Sequence, residues 1–450
     1  MGCFRFPFLA ILFIFFLFAI TIRAQVPANQ TFKYVNQGEF GDRIIEYDAS
    51  YRWIETDVYS FYRFPFRLCF YNTTPGAFIF AIRAGIPRDE SLMRWVWDAN
   101  RNHPVGENAT LTLGQDGNLI LAEADGRVVW QTNTANKGVT GISMEPNGNL
   151  VLHDKNGRFI WQSFDYPTDT LLVGQSVRMN GYNKLISRTS DADGSDGKYS
   201  MVLRNDGLIM YLNNSGQLLI YGGWPGSSLG SFVTFDAVPE NENATAYELV
   251  LAINQDVPPP GHSRRLLQSR PIRNGGQLNL NKLNYNATYS FLRLGSDGNL
   301  MAYTYYDKVS YLKWEESFAF FSSYFIRECA LPSKCGSYGL CQRRMCVACP
   351  SRKGLLGWSE SCAPPQLPPC KSGAMVEYYK IVGVQHFLGP YMDDGEGPMK
   401  VGKCRQKCDK DCKCVGFFYK EDTSKCLLAP LLGTLISDVN TSVGYIKYSK

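Results

Sequence analysis

The chain has 450 residues, 45% of them hydrophobic and 19% charged, with a formal net charge of +5. That length holds three or four domains at roughly 100–150 residues each, and so small a charge excess argues against a nucleic-acid partner. Four His are present, with no His-Glu-x-x-His helix, no Gly-x-Ser-x-Gly elbow and no phosphate-cradling Gly loop before a helix, so the residues predict no enzyme, no cofactor and no metal site.

Arg5, an apolar run over residues 6–20 and Ala24 just before Gln25 read as a secretory signal peptide, residues 1–24. The run is short of the roughly 20 residues that span a bilayer. Seven Asn-x-Ser/Thr sequons, at Asn29, Asn72, Asn108, Asn213, Asn243, Asn286 and Asn440, support secretion and glycosylation. The later apolar stretch 427–436 is broken by Pro430, so no membrane span is expected in the mature chain.

Residues 25–66 are aromatic-rich and read as an irregular leading arm. Residues 66–84 alternate well enough for two strands, with Cys69 as a buried thiol acting as a small hydrophobe. The organising stretch follows at 111–163, where LTLGQDGNLILAEADGRVVWQT and ISMEPNGNLVLHDKNGRFIWQS are one pattern written twice, 31 residues apart. Each copy reads as three short strands, because Asp-Gly and Asn-Gly supply the positive φ that tight hairpins need. A weaker copy, AFIFAIRAGIP with RWVWDAN, lies upstream. Three small sheets, each sending a Trp inward, make a three-faced unit with Trp97, Trp130 and Trp161 as its expected core.

The segment WQSFDYPTDTLL breaks the β pattern and marks a boundary near residue 170. Beyond it, KYSMVLRNDGLIMYLNNSGQLLIYGGW and SFLRLGSDGNLMAYTYYDKVSYLKW read as blades of a second β unit, with residues 255–276 as a Pro- and Arg-rich exposed loop. Cys329, Cys335, Cys341, Cys346, Cys349 and Cys362 form a crowded module. Its Cys-x-x-Cys has zinc spacing, but the secretory address and the absence of nearby His favour disulfides, in any of 15 pairings. Cys370, Cys404, Cys408, Cys412, Cys414 and Cys426 stand in the last module, after a Pro-rich linker. There the i, i+4 spacing puts Cys404 and Cys408 on one helical face, and CVGFFY reads as a buried strand.

This order of parts, with WQSFDYPTDTLL, CGSYGLC and the tail cysteine spacing, resembles plant S-locus-glycoprotein-like proteins. Those carry bulb-type, mannose-binding-like lectin domains, an EGF-like segment and a PAN/apple domain. LCFYNTTPGAF resembles the secreted epidermis-specific (EP1-like) glycoproteins of that group most closely. The resemblance implies a mainly β chain: lectin domain 1 at 25–170, a second bulb-lectin-like β-prism at 171–320, an EGF-like segment at 321–365 and an α+β PAN/apple domain at 366–450.

The family's sugar motif is Gln-x-Asp-x-Asn-x-Val-x-Tyr, whose alternate residues share one face of a strand. Carried over, it falls on Gly114, Asp116, Asn118, Ile120 and Ala122; on Glu145, Asn147, Asn149, Val151 and His153; and on Gly295, Asp297, Asn299, Met301 and Tyr303. Each copy departs from the motif. The Asp-Gly-Asn triplets equally serve a hairpin turn, and both readings stay open. The resemblance implies a secreted cell-wall or apoplast lectin binding mannose-containing glycans or glycoproteins. In the alternative, the β units are scaffold, and the EGF-like and PAN modules meet an extracellular protein. The basic helix at Lys400, Lys403, Arg405, Lys407 and Lys410 is a candidate surface for acidic partners such as a cell-wall polysaccharide.

Overall fold

The computed structural model describes residues 25–41, 50–85, 94–226, 230–239, 247–254, 276–283, 289–306, 314–322, 328–369, 375–437 and 442–450. The signal segment, Asn243, Asn286, Asn440, Cys370 and residues 255–275 of the Pro- and Arg-rich loop lie outside these.

Two three-sheet units stand in tandem. In the first, the sheets are built on strands 50–53, 66–74, 77–84 and 94–98; on 32–35, 110–113, 119–122 and 128–131; and on 141–144, 150–153 and 159–162. Asp-Gly and Asn-Gly turns close the hairpins as their left-handed backbone demands, with φ of 81° at Gly117 and 85° at Gly148. The last strand of each sheet carries one of Trp97, Trp130 and Trp161. Their ring centroids lie 5.8–6.0 Å apart in edge-on pairs, an arrangement worth about 0.5–1.5 kcal/mol per pair beyond burial. The leading arm is not irregular: Phe32–Val35 pairs with Thr110–Leu113, and Ser50–Trp53 pairs with Phe66–Thr74. Short apolar edge strands were hidden there by the dense aromatics.

The second unit repeats the plan. Its sheets run 184–188, 196–204, 207–214 and 217–225; 176–178, 232–239, 247–254 and 277–283; and 170–172, 289–294, 300–305 and 314–319. The middle sheet has no Asp-Gly turn to announce it in the sequence. Gly298, at φ 88°, is forced by close approach as well as by turn geometry, since a Cβ there would lie 2.7 Å from the Tyr199 ring.

A buried ion network locks the units together. Arg188 bonds Asp98 at 2.6 Å, Asp169 at 3.0 Å and the Tyr71 hydroxyl at 2.8 Å, while Arg101 bonds Asp98 at 2.8 Å and Asp169 at 3.2 Å. Burial pushes the Asp169 carboxyl up, but Arg101, Arg188 and Arg293 more than offset this and hold it well below the usual range.

The cysteine modules are stapled by Cys329–Cys341, Cys335–Cys346, Cys349–Cys362, Cys404–Cys426 and Cys408–Cys414. Cys412 is also disulfide-bonded. Helix Val401–Lys410 buries Cys404 and Cys408 on one face, and Cys404 ties it to strand Lys425–Ala429. Tyr338–Gln342 of the first module runs parallel to Gly433–Ser437 of the second, so a single five-stranded sheet joins them. Their apolar residues share one core with the second β unit, including Leu331, Leu340 and Ile446. Among the described residues, Cys69 is the free cysteine; it is buried, and burial pushes its thiol up to about 12.

Candidate carbohydrate site

All three motif copies fold alike at the turn. Asp116, Asn147 and Asp297 each accept a hydrogen bond from the backbone N–H two residues on, at 3.0, 3.2 and 2.8 Å. The following Asn is buried in every copy, with Asn118 and Asn149 4% and Asn299 5% exposed. Each Asn staples its hairpin to the chain leaving the third strand. Asn118 Oδ1 accepts from Thr132 Oγ1 and the Thr134 N–H, both at 3.1 Å. Asn149 Oδ1 accepts from Ser163 Oγ and the Phe164 N–H, both at 3.2 Å. Asn299 Oδ1 accepts from the Phe321 N–H at 3.0 Å, and its Nδ2 donates to the Phe321 carbonyl at 3.4 Å. Both lone pairs of Asn118 and of Asn149 are therefore committed inside the fold.

The copies part company at one register position. Ile120 faces Gln131 across the strand pair, Val151 faces Gln162, and Met301 faces Ala319. In the first unit the Gln reaches over the motif Asn, with Asn118 Nδ2 donating to Gln131 Oε1 at 2.7 Å and Asn149 Nδ2 to Gln162 Oε1 at 2.8 Å. Gln162 Nε2 also donates to Asp165 at 3.1 Å. Ala319 reaches nothing. Over it lies a recess of about 540 Å³, floored by Asn299, Met301 and Ala319 and rimmed by Asp297 and Glu316. Glu328, Ser333 and Lys334 of the cysteine-rich segment form its far wall.

Lys334 is held by Glu328 at 2.9 Å, and Ser333 by the Tyr199 hydroxyl at 2.8 Å, so the wall is anchored. The Asp297 side chain reaches solvent, yet the recess walls desolvate its carboxyl and raise its pKa. Glu316 is raised as well, by burial first and then by Glu328 and Asp297. The site thus offers carboxylate acceptors, one tethered cation and the apolar faces of Met301, Ala319 and Phe321. That combination suits a sugar, whose hydroxyls donate and whose ring carbons pack.

Not every expected residue converges on the recess. Tyr303 packs its ring against Phe291 in a tilted pair with centroids 5.1 Å apart and does not line it. Sequence reasoning had no place for Ala319 or Glu316. The available signal was the missing Gln, since the first unit reads Trp-Gln where this copy reads Phe318-Ala319. The chain here runs past Trp314 to complete its third strand at Ala319. Among the sequons, Asn29, Asn108 and Asn213 are exposed, whereas Asn72 is 7% exposed within a strand. On the basic helix, Lys407 is paired with Glu396, and Arg405 lies 3.8 Å from Asp409 and over the Tyr378 ring. Its charge is partly neutralised.

The family model described as D-mannose binding lectin matches residues 94–191. EP1-like glycoprotein 2 of Arabidopsis thaliana is 65% identical over 434 residues, covering 94% of this chain and 95% of that one. EP1-like glycoprotein 1 of the same plant is 58% identical over 453 residues, covering 99% and 100%. The chain belongs to the EP1-like glycoprotein family. Epidermis-specific secreted glycoprotein EP1 of Daucus carota is 46% identical over 390 residues, covering 81% of this chain and 95% of that one. The lectin model falls on the first β unit and the start of the second.

Proposed function

We propose that this EP1-like chain is a secreted, cell-wall or apoplast lectin that holds a neutral, mannose-type glycan in the recess of its third motif copy. The carrying observation is the Ala319 position, which leaves the motif strand of the second unit open where Gln131 and Gln162 cover those of the first. Three carboxylates against one tethered lysine disfavour an acidic polysaccharide and favour a neutral sugar. Secretion is supported by the signal-like leader, by five described disulfides, by exposed sequons and by the name of the carrot relative. Among the described residues no helix is long and apolar enough to cross a membrane.

A glycan array on the secreted, enzymatically deglycosylated protein tests the reading. Mannose-competable binding is expected. A blank array from folded protein refutes it, and so does selective capture of acidic glycans.

A further inference from the structure

The cysteine-rich segment carries a second surface, remote in chemistry from the recess. Strands Met345–Ser351 and Gly354–Gly357 form the free margin of the five-stranded sheet, with Gly354–Gly357 outermost. All four residues of that last strand are exposed, and among the described residues its pairing is with Met345–Ser351 on one side only. An open edge of this kind is a template for another strand.

The side chains around it are apolar. Met345 is 65% exposed, Leu355 58% and Leu356 56%, with Val347 also exposed. Met345, Val347 and Cys349 alternate onto one face, and Leu356 pairs beside Cys349. Leu355, which pairs beside Pro350, lies on the opposite face, so an exposed leucine stands on each side of the free edge. Basic turns bracket the strip: Arg343 and Arg344 precede Met345, and Arg352 and Lys353 precede Gly354. Neither turn contains a carboxylate, though Arg352 lies over the Tyr448 ring at 4.1 Å and acts on Glu377. Seven strand residues separate the turns, which places them about 20 Å apart at ~3.3 Å per residue.

We propose that this margin docks an extended segment of another protein, acidic at its ends and apolar in its middle, which adds as a strand to Gly354–Gly357. Charge complementarity selects the acidic ends. The apolar strip selects a polypeptide over an acidic polysaccharide, which has no side chains to cover Leu355 and Leu356. A second copy of this chain is disfavoured, because edge-to-edge pairing would bring like-charged turns together. The surface is independent of the glycan recess.

The test is fluorescence anisotropy on the full-length protein with three labelled peptides: EEVTVTVEE, its basic counterpart KKVTVTVKK, and EEVPVPVEE, which keeps the charge but loses two strand donors. EEVTVTVEE should bind saturably, weaken with salt and resist competition by mannose, while the other two stay free. The double variants Arg343→Glu/Lys353→Glu and Leu355→Asp/Leu356→Asp, all at exposed positions, should each weaken it about tenfold. Equal binding of the Pro peptide, indifference to both variants, preference for oligogalacturonate, or self-association abolished by Leu356→Asp would each overturn the proposal. Unchanged melting temperatures of the variants show that loss of binding is not loss of fold.

Discussion

The first and third motif copies share a turn, a buried Asn and a register, yet one is covered and the other open. Gln131 spans its strand pair and satisfies Asn118, whereas Ala319 leaves Asn299 to the backbone of Phe321. The difference lies in a side chain on the neighbouring strand, outside the family's sugar motif: Gln131 bonds the motif Asn, whereas Ala319 lines a recess. The cysteine-rich segment supplies one wall of the recess. Asp-Gly-Asn holds the turn and staples the hairpin in both copies, and the proposed site rests on what surrounds it in the third.

The largest expected effect tests whether the two units act as one body. Asp169→Ala removes a carboxylate that three arginines surround and leaves buried guanidinium charge uncompensated, at a cost of about 3–5 kcal/mol. Thermal or denaturant unfolding reads it, and a cost similar to that of removing the exposed Asp206 would break the account.

Acid should next separate the cysteine-module sheet from the β units. His386 lies in the sheet that joins the cysteine modules, accepts from the Leu388 N–H through Nδ1 and faces the Leu431 carbonyl through Nε2 at 2.9 Å. That geometry requires the neutral ring, and burial lowers its pKa to about 4. The unfolded chain takes up a proton near pH 6.5 that the folded chain refuses, so stability is complete above 6.5 and falls as pH drops toward 4. The loss reaches about 3 kcal/mol. His386→Asn should flatten the slope of melting temperature between pH 4 and 6.5.

A smaller effect distinguishes the Asn staples. Asn118→Ala or Asn149→Ala strands buried donors, including the Thr134 or Phe164 N–H, and should cost about 2 kcal/mol in urea titrations. Glycan binding by the folded variants should persist. Loss of binding at unchanged stability would move the sugar site to the first unit.

Much of the fold was legible. The 31-residue repeat, the inward Trp of each sheet and the helix clamped by Cys404 all rest on local periodicity and turn chemistry. The sheet at 232–283 was not, because its strands are joined by the long segments 240–246 and 255–276 rather than by two-residue hairpin turns. The joining of the two cysteine modules was also hidden, since Tyr338–Gln342 pairs with strand Gly433–Ser437 some 95 residues away. For the site, the motif copies could be located, but their opposite fates depend on cross-strand register. A one-residue shift would place Phe318 or Phe320 where Ala319 stands, and sequence alone does not set that register.

Ala319→Gln is the most direct test of the central claim. It rebuilds in the third copy the cover that Gln131 provides in the first, with little expected change in stability. Mannose-glycan binding by wild type and its loss in Ala319→Gln, measured by titration calorimetry, is the predicted result. Undiminished binding by the folded variant would contradict the assignment of the recess as the sugar site.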